Sequence, residues 1–139
     1  MMTREELVNE LQANTWVMIK PSPIQGIGVF ALKDIPKGCR SMFSKARKSH
    51  DEYISIPKAD VEKLPTHSKT LVETYCLYDE DNYFVPDCGF KKMDLVYFLN
   101  HADKGNIISI NDGEFFEAVR DIKKGEELVI DYGGIVEDN

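Results

Sequence analysis

The chain has few residues of the kind that build metal clusters or disulfide frameworks. It contains three cysteines, Cys39, Cys76 and Cys88, and no two of them form a Cys-x-x-Cys pair. Its three histidines stand far apart, without the His-x-x-x-His spacing of a helical metal site. An odd number of cysteines at loose spacing argues against a disulfide framework and against a zinc cluster. We therefore expect no metal ion in this protein.

Long apolar runs are also missing. No stretch approaches the roughly 18 apolar residues that a membrane span requires. The N-terminal segment "MMTREELVNE" is charged from its start, whereas a signal peptide has an apolar region there. The sequence thus predicts a soluble, intracellular protein with no membrane partner, and it does not distinguish the cytoplasm from the nucleus.

Basic residues are in the minority. The chain has 17 Lys and Arg residues against 24 Asp and Glu residues, which gives a formal net charge of -7. Direct binding to nucleic acid needs a basic face, so this balance disfavours it. An acidic surface instead raises the local concentration of a basic partner, such as a Lys-rich peptide. The same charge also suits simple solubility, and charge alone does not separate the two interpretations.

What the sequence does contain is typical of one globular domain. Of its 139 residues, 42% are hydrophobic and 29% are charged, which is enough for a single core. The spacing Thr3-x-x-Glu6 is that of a capping box and predicts a helix over residues 3–13. From Trp16 onward, short segments rich in Val, Ile, Phe and Tyr lie between turn residues, and they predict a mainly β fold with a few short helices. These segments are "WVMIK", "GIGVFAL", "EYISI", "YFV", "NIISI", "EFFEAV" and "ELVIDY".

One longer segment has a helical pattern. Residues 58–77 carry this pattern, and Pro65 interrupts it. Thr66 is positioned to cap a second helix that carries Leu71 and Tyr75. We therefore expect two helical pieces rather than one.

Two shorter patterns lie in the second half of the chain. "KKMDLVYFL" predicts a further short helix with Met93, Val96 and Tyr97 on one side. The triplet Asn111-Asp112-Gly113 stands between two strand-like segments. It therefore predicts a hairpin.

One eight-residue pattern occurs twice. "ALKDIPKG" at 31–38 and "AVRDIKKG" at 118–125 are identical at five of eight positions. Each copy ends a predicted strand and enters a Lys-Gly turn. Two copies are too few for a repeat architecture. We interpret them as two strand exits that obey the same turn chemistry.

Three clusters are candidates for chemistry, and the first is "GIGVFAL". It lacks the third glycine of a dinucleotide fingerprint and the Lys-Ser/Thr of a phosphate loop. Its residues Gly26, Ile27 and Gly28 would let the backbone approach a ligand closely. A tight turn between strands is the alternative explanation.

The other two clusters are polar groups at the ends of apolar segments. Asn100-His101 follows an apolar run that ends at Leu99. Alone, this pair would be explained by a helix C-terminus, where such side chains bind free carbonyls. In "GEELVIDYGG", Tyr132 stands at the end of a strand before two glycines. Alone, Tyr132 would be a core or rim residue.

Together and in this order, the clusters resemble the SET-domain family of protein lysine methyltransferases. "GIGVFALKDIPKG" resembles the family's opening Gly-x-Gly strand and turn, "FLNHADKGNI" its Asn-His segment, and "KKGEELVIDYG" its closing segment with a tyrosine. The resemblance implies a SET domain over residues 16–133, a helical extension over 1–15 and a short tail over 134–139. It also implies a β-clip-like SET fold in which the Asn-His segment is threaded beneath the C-terminal strand, an exception to the rule against threaded chains.

The resemblance also implies roles for individual residues. Asn100 would hydrogen-bond the methionine end of S-adenosyl-L-methionine, and His101 would contact its adenine end. The backbone of Gly26, Ile27 and Gly28 would approach the same cofactor. Tyr132 would be the catalytic tyrosine and would also contact the cofactor.

The implied reaction is methyl transfer to lysine side chains of a protein substrate, such as a histone-like or other basic protein. A methyl group moves in line from a sulfonium to a neutral amine, so positioning should dominate and no metal is required. A free lysine has a pKa of about 10.4. A narrow apolar channel would favour its neutral form, and a tyrosine hydroxyl would orient it.

The sequence departs from the family pattern in three places. "HADKGN" replaces the usual Ser and Pro after the Asn-His pair. Only a short tail follows Tyr132, so this tail must supply whatever closes the lysine channel, unless a homodimer or the substrate completes it. These two departures leave open an alternative, a catalytically weak or inactive SET-like protein-interaction module. Thirdly, Ile130 replaces a residue that is often aromatic, which predicts more than one methyl group per lysine unless Ile130 merely fills the core.

Overall fold

The structure is a computed structural model of the chain and describes residues 3–43, 53–87, 89–91, 93–111 and 115–136. The described chain is mainly β with a few short helices, which confirms the predicted fold class. Its elements are α1 (Arg4–Ala13), β1 (Val17–Pro21), β2 (Ile27–Ala31), β3 (Tyr53–Pro57), α2 (Lys58–Val61), α3 (Thr66–Tyr75), β4 (Asn82–Pro86), a 3₁₀ helix (Leu95–Phe98), β5 (Asn100–His101), β6 (Ile107–Ile110), β7 (Phe115–Ala118) and β8 (Glu127–Val136).

The helix α1 begins at the predicted capping box. Thr3 Oγ1 accepts a hydrogen bond from the Glu6 N–H at 3.1 Å, and Glu6 Oε1 accepts one from the Thr3 N–H at 2.9 Å. These reciprocal bonds satisfy donors that a helix start leaves free, so the helix forms where the sequence predicts it. No residue of α1 is buried. The helix therefore lies on the outside of the fold.

The larger sheet is organised around β8. Its strand order is β1-β2-β8-β6-β7, and β5 also pairs with β8. The strand β8 is antiparallel to β2 and parallel to both β5 and β6. The strands β6 and β7 form the predicted hairpin after Asn111, although Asp112 and Gly113 lie outside the described residues. The closing segment of the sequence thus becomes the central strand.

The main core packs against one face of β8. Leu128, Ile130 and Tyr132 have exposed fractions of 0%, 1% and 9%. Because side chains alternate along a strand, residues 127, 129 and 131 lie on the other face. The remaining buried members of this core are Val17, Val29, Ala31, Ile35, Met42, Phe43, Leu99, Ile107, Phe116, Ala118 and Ile122.

A second, smaller core joins the two-stranded sheet of β3 and β4 to the helices. It consists of residues from α2, β4, the 3₁₀ helix and the α3 region. Met93 and Val96 pack against it, and Tyr97 belongs to it, so the predicted grouping of these three side chains is confirmed. Its buried members are Val61, Val72, Cys76, Val85 and Tyr97.

One local prediction is wrong, and a second is refined. The N-cap of α3 is Pro65 rather than Thr66, and no side-chain hydrogen bond caps this helix. The predicted short helix that contains Tyr97 is a four-residue 3₁₀ helix, Leu95–Phe98. Leu99, which follows it, is already extended, with φ of -63° and ψ of 121°, because the chain enters β5 at the next residue.

The two copies of the repeated pattern pair with each other. Ile35 and Ile122 form an antiparallel bridge in which each N–H donates to the other's carbonyl at 2.8 Å. The aspartate of each copy also accepts a hydrogen bond from the backbone N–H of a lysine in the other copy. The Asp34 carboxylate and the Lys124 N–H are 2.8 Å apart, and the Asp121 carboxylate and the Lys37 N–H are 2.9 Å apart.

The glycines of the two copies repeat this exchange. The Gly38 N–H donates to Ala118 O at 2.7 Å, and the Gly125 N–H donates to Ala31 O at 2.8 Å. Both glycines have positive φ, 88° and 87°, where a side chain would be strained. The interpretation as two independent strand exits is therefore incomplete, because the shared residues also bind the two turns together. This contact places the start of β8 against the end of β2.

Candidate active site

The Asn-His segment is threaded under the closing strand. In the parallel pair β5-β8, Asn100 lies opposite Val129 and His101 lies opposite Ile130. Ile130 is also paired with Ile107 of β6. Because a strand residue has one neighbour on each edge, residues 102–106 must cross from one edge of β8 to the other. The predicted proximity of residues 100–107 to residues 128–133 is therefore confirmed.

The crossing is made by Gly105 and Asn106. A Cβ on Gly105 would lie 2.6 Å from Val129 O, so a side chain there would force the two segments apart. Asn106 is 1% exposed; its Nδ2 donates to Glu127 O at 2.9 Å, and its Oδ1 accepts from the Val129 N–H at 2.8 Å. These bonds satisfy backbone groups of β8 where the crossing interrupts the hydrogen bonds between strands. The sequence pattern did not single out Gly105.

The opening glycine segment reaches the same place from β2. Gly28 is buried, and a Cβ there would overlap the Glu127 carboxylate. Gly26 has a φ of 47°, and its carbonyl accepts a hydrogen bond from the Ser22 N–H at 2.8 Å. The Ile27 side chain is 44% exposed. This segment therefore offers mainly its backbone to the site.

The side chain of Asn100 connects the glycine segment to β8. Its Nδ2 donates to Glu127 Oε2 at 2.8 Å and to Gln25 O at 3.1 Å, and Ile27 O lies 3.5 Å away. Among the residues that the structure describes, no donor bonds to its Oδ1. Asn100 thus presents one strong acceptor that a ligand can use.

Glu127 is a site residue that the sequence reasoning missed. Its carboxylate accepts hydrogen bonds from Ser22 Oγ and from Asn100 Nδ2, both at 2.8 Å. Strand alternation is the signal that could have found it. Leu128 faces the core, so Glu127 lies on the opposite face of β8, where its carboxylate meets the Asn100 side chain.

Tyr132 lies on the buried face of β8, and the strand continues past it to Val136 rather than ending at Tyr132 as the sequence predicted. Its hydroxyl donates a hydrogen bond to the carbonyl of Leu99. Burial raises the pKa of Tyr132 to about 12, so the phenol is protonated at neutral pH. A protonated hydroxyl that donates to a carbonyl still has lone pairs that accept a hydrogen bond.

His101 packs edge-on against Tyr132. Their ring centroids are 5.4 Å apart, and their planes differ by 74°. The Tyr132 N–H donates to His101 Nδ1 at 3.1 Å, so in the neutral ring the proton is on Nε2. Nε2 lies 3.1 Å from Asp103 Oδ1 and donates to it. The imidazole is thus held at both nitrogens.

A cleft of about 370 Å³ opens beside these two rings. Its volume lies within the range of about 300–1,000 Å³ that small-molecule sites occupy. Gln25 lines the cleft and also binds Asn100 through its carbonyl, so it joins the cleft to the Asn100 cluster. The lining residues are Gln25, Thr70, Glu73, Thr74, Tyr78, His101 and Tyr132.

The wall opposite β8 comes from α3 and the segment after it. Sequence reasoning did not identify this contribution. The Tyr78 N–H donates to Tyr132 O at 3.3 Å, which ties the segment to β8. A Cβ on Gly133 would lie 3.4 Å from the Tyr78 ring, so the two segments are in close contact. These contacts place Glu73 of α3 at the same cleft as Tyr132.

Cys76 is poorly suited to thiol chemistry, and the described residues hold no group of metal ligands. Cys76 is fully buried, and burial raises the pKa of its thiol to about 12, which disfavours the reactive thiolate. Within residues 3–43, 53–87, 89–91, 93–111 and 115–136, no three His, Cys, Asp or Glu residues are grouped as metal ligands. Cys88 and His50 lie outside the described residues. None of the helices in the described segments has the length and apolar composition needed to cross a bilayer.

Ile130 lies in the core rather than in the cleft. It is 1% exposed and packs within the main core, and it is not among the residues that line the cleft. The interpretation in which Ile130 fills the core is therefore favoured over a direct effect on the number of methyl groups.

Comparison with known proteins decides the family. The family model of the SET domain matches residues 26–133. The chain belongs to the SET-domain family. The match includes the glycine segment, the Asn-His segment and the closing tyrosine segment, so the resemblance inferred from them is confirmed. The comparison with curated proteins finds no match.

A solved structure is also similar to this SET-domain protein. It is a Plasmodium falciparum protein described as a "putative histone methyltransferase", with 24% sequence identity and a TM-score of 0.52. The alignment covers 86% of this chain and 94% of that chain. At this identity the similarity supports the fold alone. The roles of Gly26, Ile27, Gly28, Asn100, His101 and Tyr132 stay predictions.

Proposed function

We propose that this SET-domain protein is an S-adenosyl-L-methionine-dependent methyltransferase that acts on lysine side chains of a basic protein. The observation that carries the proposal is the position of Tyr132. Tyr132 lines a cleft beside His101, and its protonated hydroxyl is fixed by a hydrogen bond to Leu99 O, while the connected cluster around Asn100 offers hydrogen-bond acceptors to a ligand.

The Asn100 cluster fits the amino-acid end of the proposed cofactor. The carbonyls of Gln25 and Ile27 and the Asn100 Oδ1 are acceptors, which suits an ammonium group. Because Gly28 has no side chain, the Glu127 carboxylate lies against the backbone of this segment and adds a negative charge to the cluster. Asn100 and the backbone of residues 26–28 would hold this end, and His101 would hold the adenine end. When bound, the cofactor supplies a methyl group on a sulfonium, and its sulfur departs as a neutral thioether that needs no acid catalysis.

Tyr132 would orient the amine rather than deprotonate it. Its pKa of about 12 lies above the pKa of about 10.4 of a free lysine, and it already donates its proton to Leu99 O. The lysine must therefore lose its proton to water before it reacts. A neutral amine can then donate an N–H to the lone pairs of Tyr132, which points the nitrogen lone pair along the cleft.

The charge of the protein supports a basic substrate. The net charge is -7, and Glu73 brings a carboxylate to the lining of the cleft. A lysine-containing segment of a histone-like or other basic protein is attracted by such a surface. We propose that the lysine-bearing segment of the substrate, or a second copy of the chain, completes the lysine channel beside Tyr132.

A methyl-transfer assay tests the proposal. The protein is incubated with labelled S-adenosyl-L-methionine and either core histones or a lysate of basic proteins, and modified lysines are identified by mass spectrometry. Tyr132→Phe should lower the rate about tenfold or more while cofactor binding is retained, since only an orienting hydroxyl is lost. Tyr53→Phe, a hydroxyl deletion in β3, is the matched control and should keep the native rate.

The outcomes are distinct. Equal rates for the native protein and Tyr132→Phe would remove the role of Tyr132. Cofactor binding without any methyl transfer would indicate a SET-like interaction module instead of an enzyme. A native protein that binds no cofactor would contradict both.

A further inference from the structure

The Glu127 carboxylate has no cationic partner among the described residues. Glu127 is half-buried, and its carboxylate accepts hydrogen bonds from Ser22 Oγ at 2.8 and 2.9 Å and from Asn100 Nδ2 at 2.8 Å. Both partners are neutral. Across the described segments, no Lys, Arg or His side chain lies within ion-pair distance of Glu127. A carboxylate that is partly removed from water favours a position beside a positive charge.

The adjacent residue Glu126 has the ordinary arrangement. Its carboxylate lies 2.5 Å from Arg120 Nη2, and this hydrogen bond lowers the pKa of Glu126. In the part of the chain that the structure describes, Glu126 thus has a cationic partner and Glu127, the next residue, has none. The negative charge of Glu127 therefore does not serve an ion pair within the described residues.

Other acceptors share the Asn100 amide with the Glu127 carboxylate. The carbonyls of Gln25 and Ile27 lie 3.1 and 3.5 Å from Asn100 Nδ2, which itself binds Glu127. The Glu127 carboxylate occupies the space that a side chain on Gly28 would take, so it lies directly against the backbone of the glycine segment. A cluster of acceptors with one net negative charge is complementary to an ammonium group.

We propose that Glu127 makes this site selective for a ligand that carries an α-ammonium group. The inference rests on the proposed function, in which this site holds the amino-acid end of the cofactor. Glu127 supplies the countercharge for the ammonium. It also holds Asn100 Nδ2, so that Asn100 Oδ1 remains available as an acceptor.

The experiment measures selectivity for the amine by calorimetry. S-adenosylhomocysteine is compared with its deamino analogue, in which hydrogen replaces the amine. The quantity is the ratio of their dissociation constants, because a general loss of folded protein changes both constants and leaves the ratio unchanged. For the native protein we expect the deamino analogue to bind at least tenfold more weakly.

Glu127→Gln isolates the charge. The Gln oxygen can accept from Asn100 and its amide can donate to Ser22 Oγ, so both contacts survive while the charge is lost. We expect the ratio to fall to threefold or less. Glu126→Gln removes the same charge from the neighbouring residue and should keep the native ratio. If Glu127→Gln does not fold, Glu127→Asp is measured instead. This variant keeps the negative charge but moves the carboxylate back toward β8 by one methylene, and we expect the ratio of dissociation constants to fall at least threefold.

Each result has one meaning. A native ratio near one, or a native ratio retained by Glu127→Gln or Glu127→Asp, overturns the role of Glu127 and leaves the proposed function standing. A native protein that binds S-adenosylhomocysteine no better than background overturns the proposed function, and this inference falls with it. Equal losses of selectivity in the Glu127→Gln and Glu126→Gln variants would show an effect of net charge and overturn the assignment to Glu127.

Discussion

Gly105→Ala tests the threaded crossing directly. A Cβ at this position would lie 2.6 Å from Val129 O and 2.8 Å from Ile130 Cα. Both atoms belong to the backbone of β8, so neither can rotate away as the end of a side chain can. The added methyl group must therefore push the crossing and the central strand apart.

The expected loss of stability follows from two opposing effects. Forcing a group into a packed site costs about 1–3 kcal/mol. Replacing glycine by alanine stabilises the folded state by about 0.4–1 kcal/mol through the unfolded chain. The net destabilisation should be about 1–2 kcal/mol, which for a chain of this size lowers the melting temperature by about 3–10 °C.

Thermal and denaturant unfolding measure the effect, and Gly133→Ala is the control. Gly133 also belongs to β8, but the nearest atom to its added Cβ would be Tyr78 Cε2 at 3.4 Å, part of a side chain. We expect the control to change stability by less than about 0.5 kcal/mol. The reasoning about the crossing is wrong if Gly105→Ala melts at or above the temperature of the native protein.

Three further predictions concern the site. Asn100→Ala removes one hydrogen-bond donor from the Glu127 carboxylate, so it should destabilise the fold by about 1–3 kcal/mol and also weaken cofactor binding. Thermal melting and calorimetry on the same sample separate these two effects. A cofactor affinity equal to that of the native protein would contradict the role of Asn100. The raised pKa of Tyr132 means that its contribution to stability is present below about pH 10, the value in the unfolded chain, and is lost as the pH rises toward 12. Between about pH 10 and 12, the free energy of unfolding measured by urea titration should therefore fall less for Tyr132→Phe than for the native protein. An equal fall with pH for the two proteins would refute this. Ile130→Tyr should destabilise the core by about 1–3 kcal/mol because Ile130 is 1% exposed; a variant of native stability that stops at monomethyl-lysine would instead support control of methyl number by this residue.

Local features of the fold could be predicted because their causes lie within a few residues. The capping box at Thr3 joins residues three apart, and both of its bonds form. The strand segments follow from short runs of β-branched and aromatic residues between turns. The error at the start of α3 is also local, since Pro65 replaces Thr66 as the cap, and the short helix near Tyr97 is of the 3₁₀ type. These details depend on the direction in which the backbone enters or leaves each helix, and the spacing of apolar residues carries no information on that direction.

The repeated pattern shows the limit of a purely local interpretation. The sequence reveals that residues 31–38 and 118–125 are alike. It does not reveal that Ile35 and Ile122 pair, because similarity between two segments carries no information on their distance. Only the folded chain shows that the shared aspartate, isoleucine and glycine each bond across the contact.

The sequence by itself determined the family, the fold class and the candidates Asn100, His101 and Tyr132, because three ordered motifs and the strand pattern are properties of the chain. The tertiary structure alone decided which other groups meet them. Ser22 and Glu127 are 105 positions apart, yet they share a hydrogen bond. Glu73 enters the cleft from α3, and Gly105 is required by the backbone that crosses it. Such contacts depend on the path of the backbone between distant segments, and that path is set by packing of the whole core rather than by any short pattern.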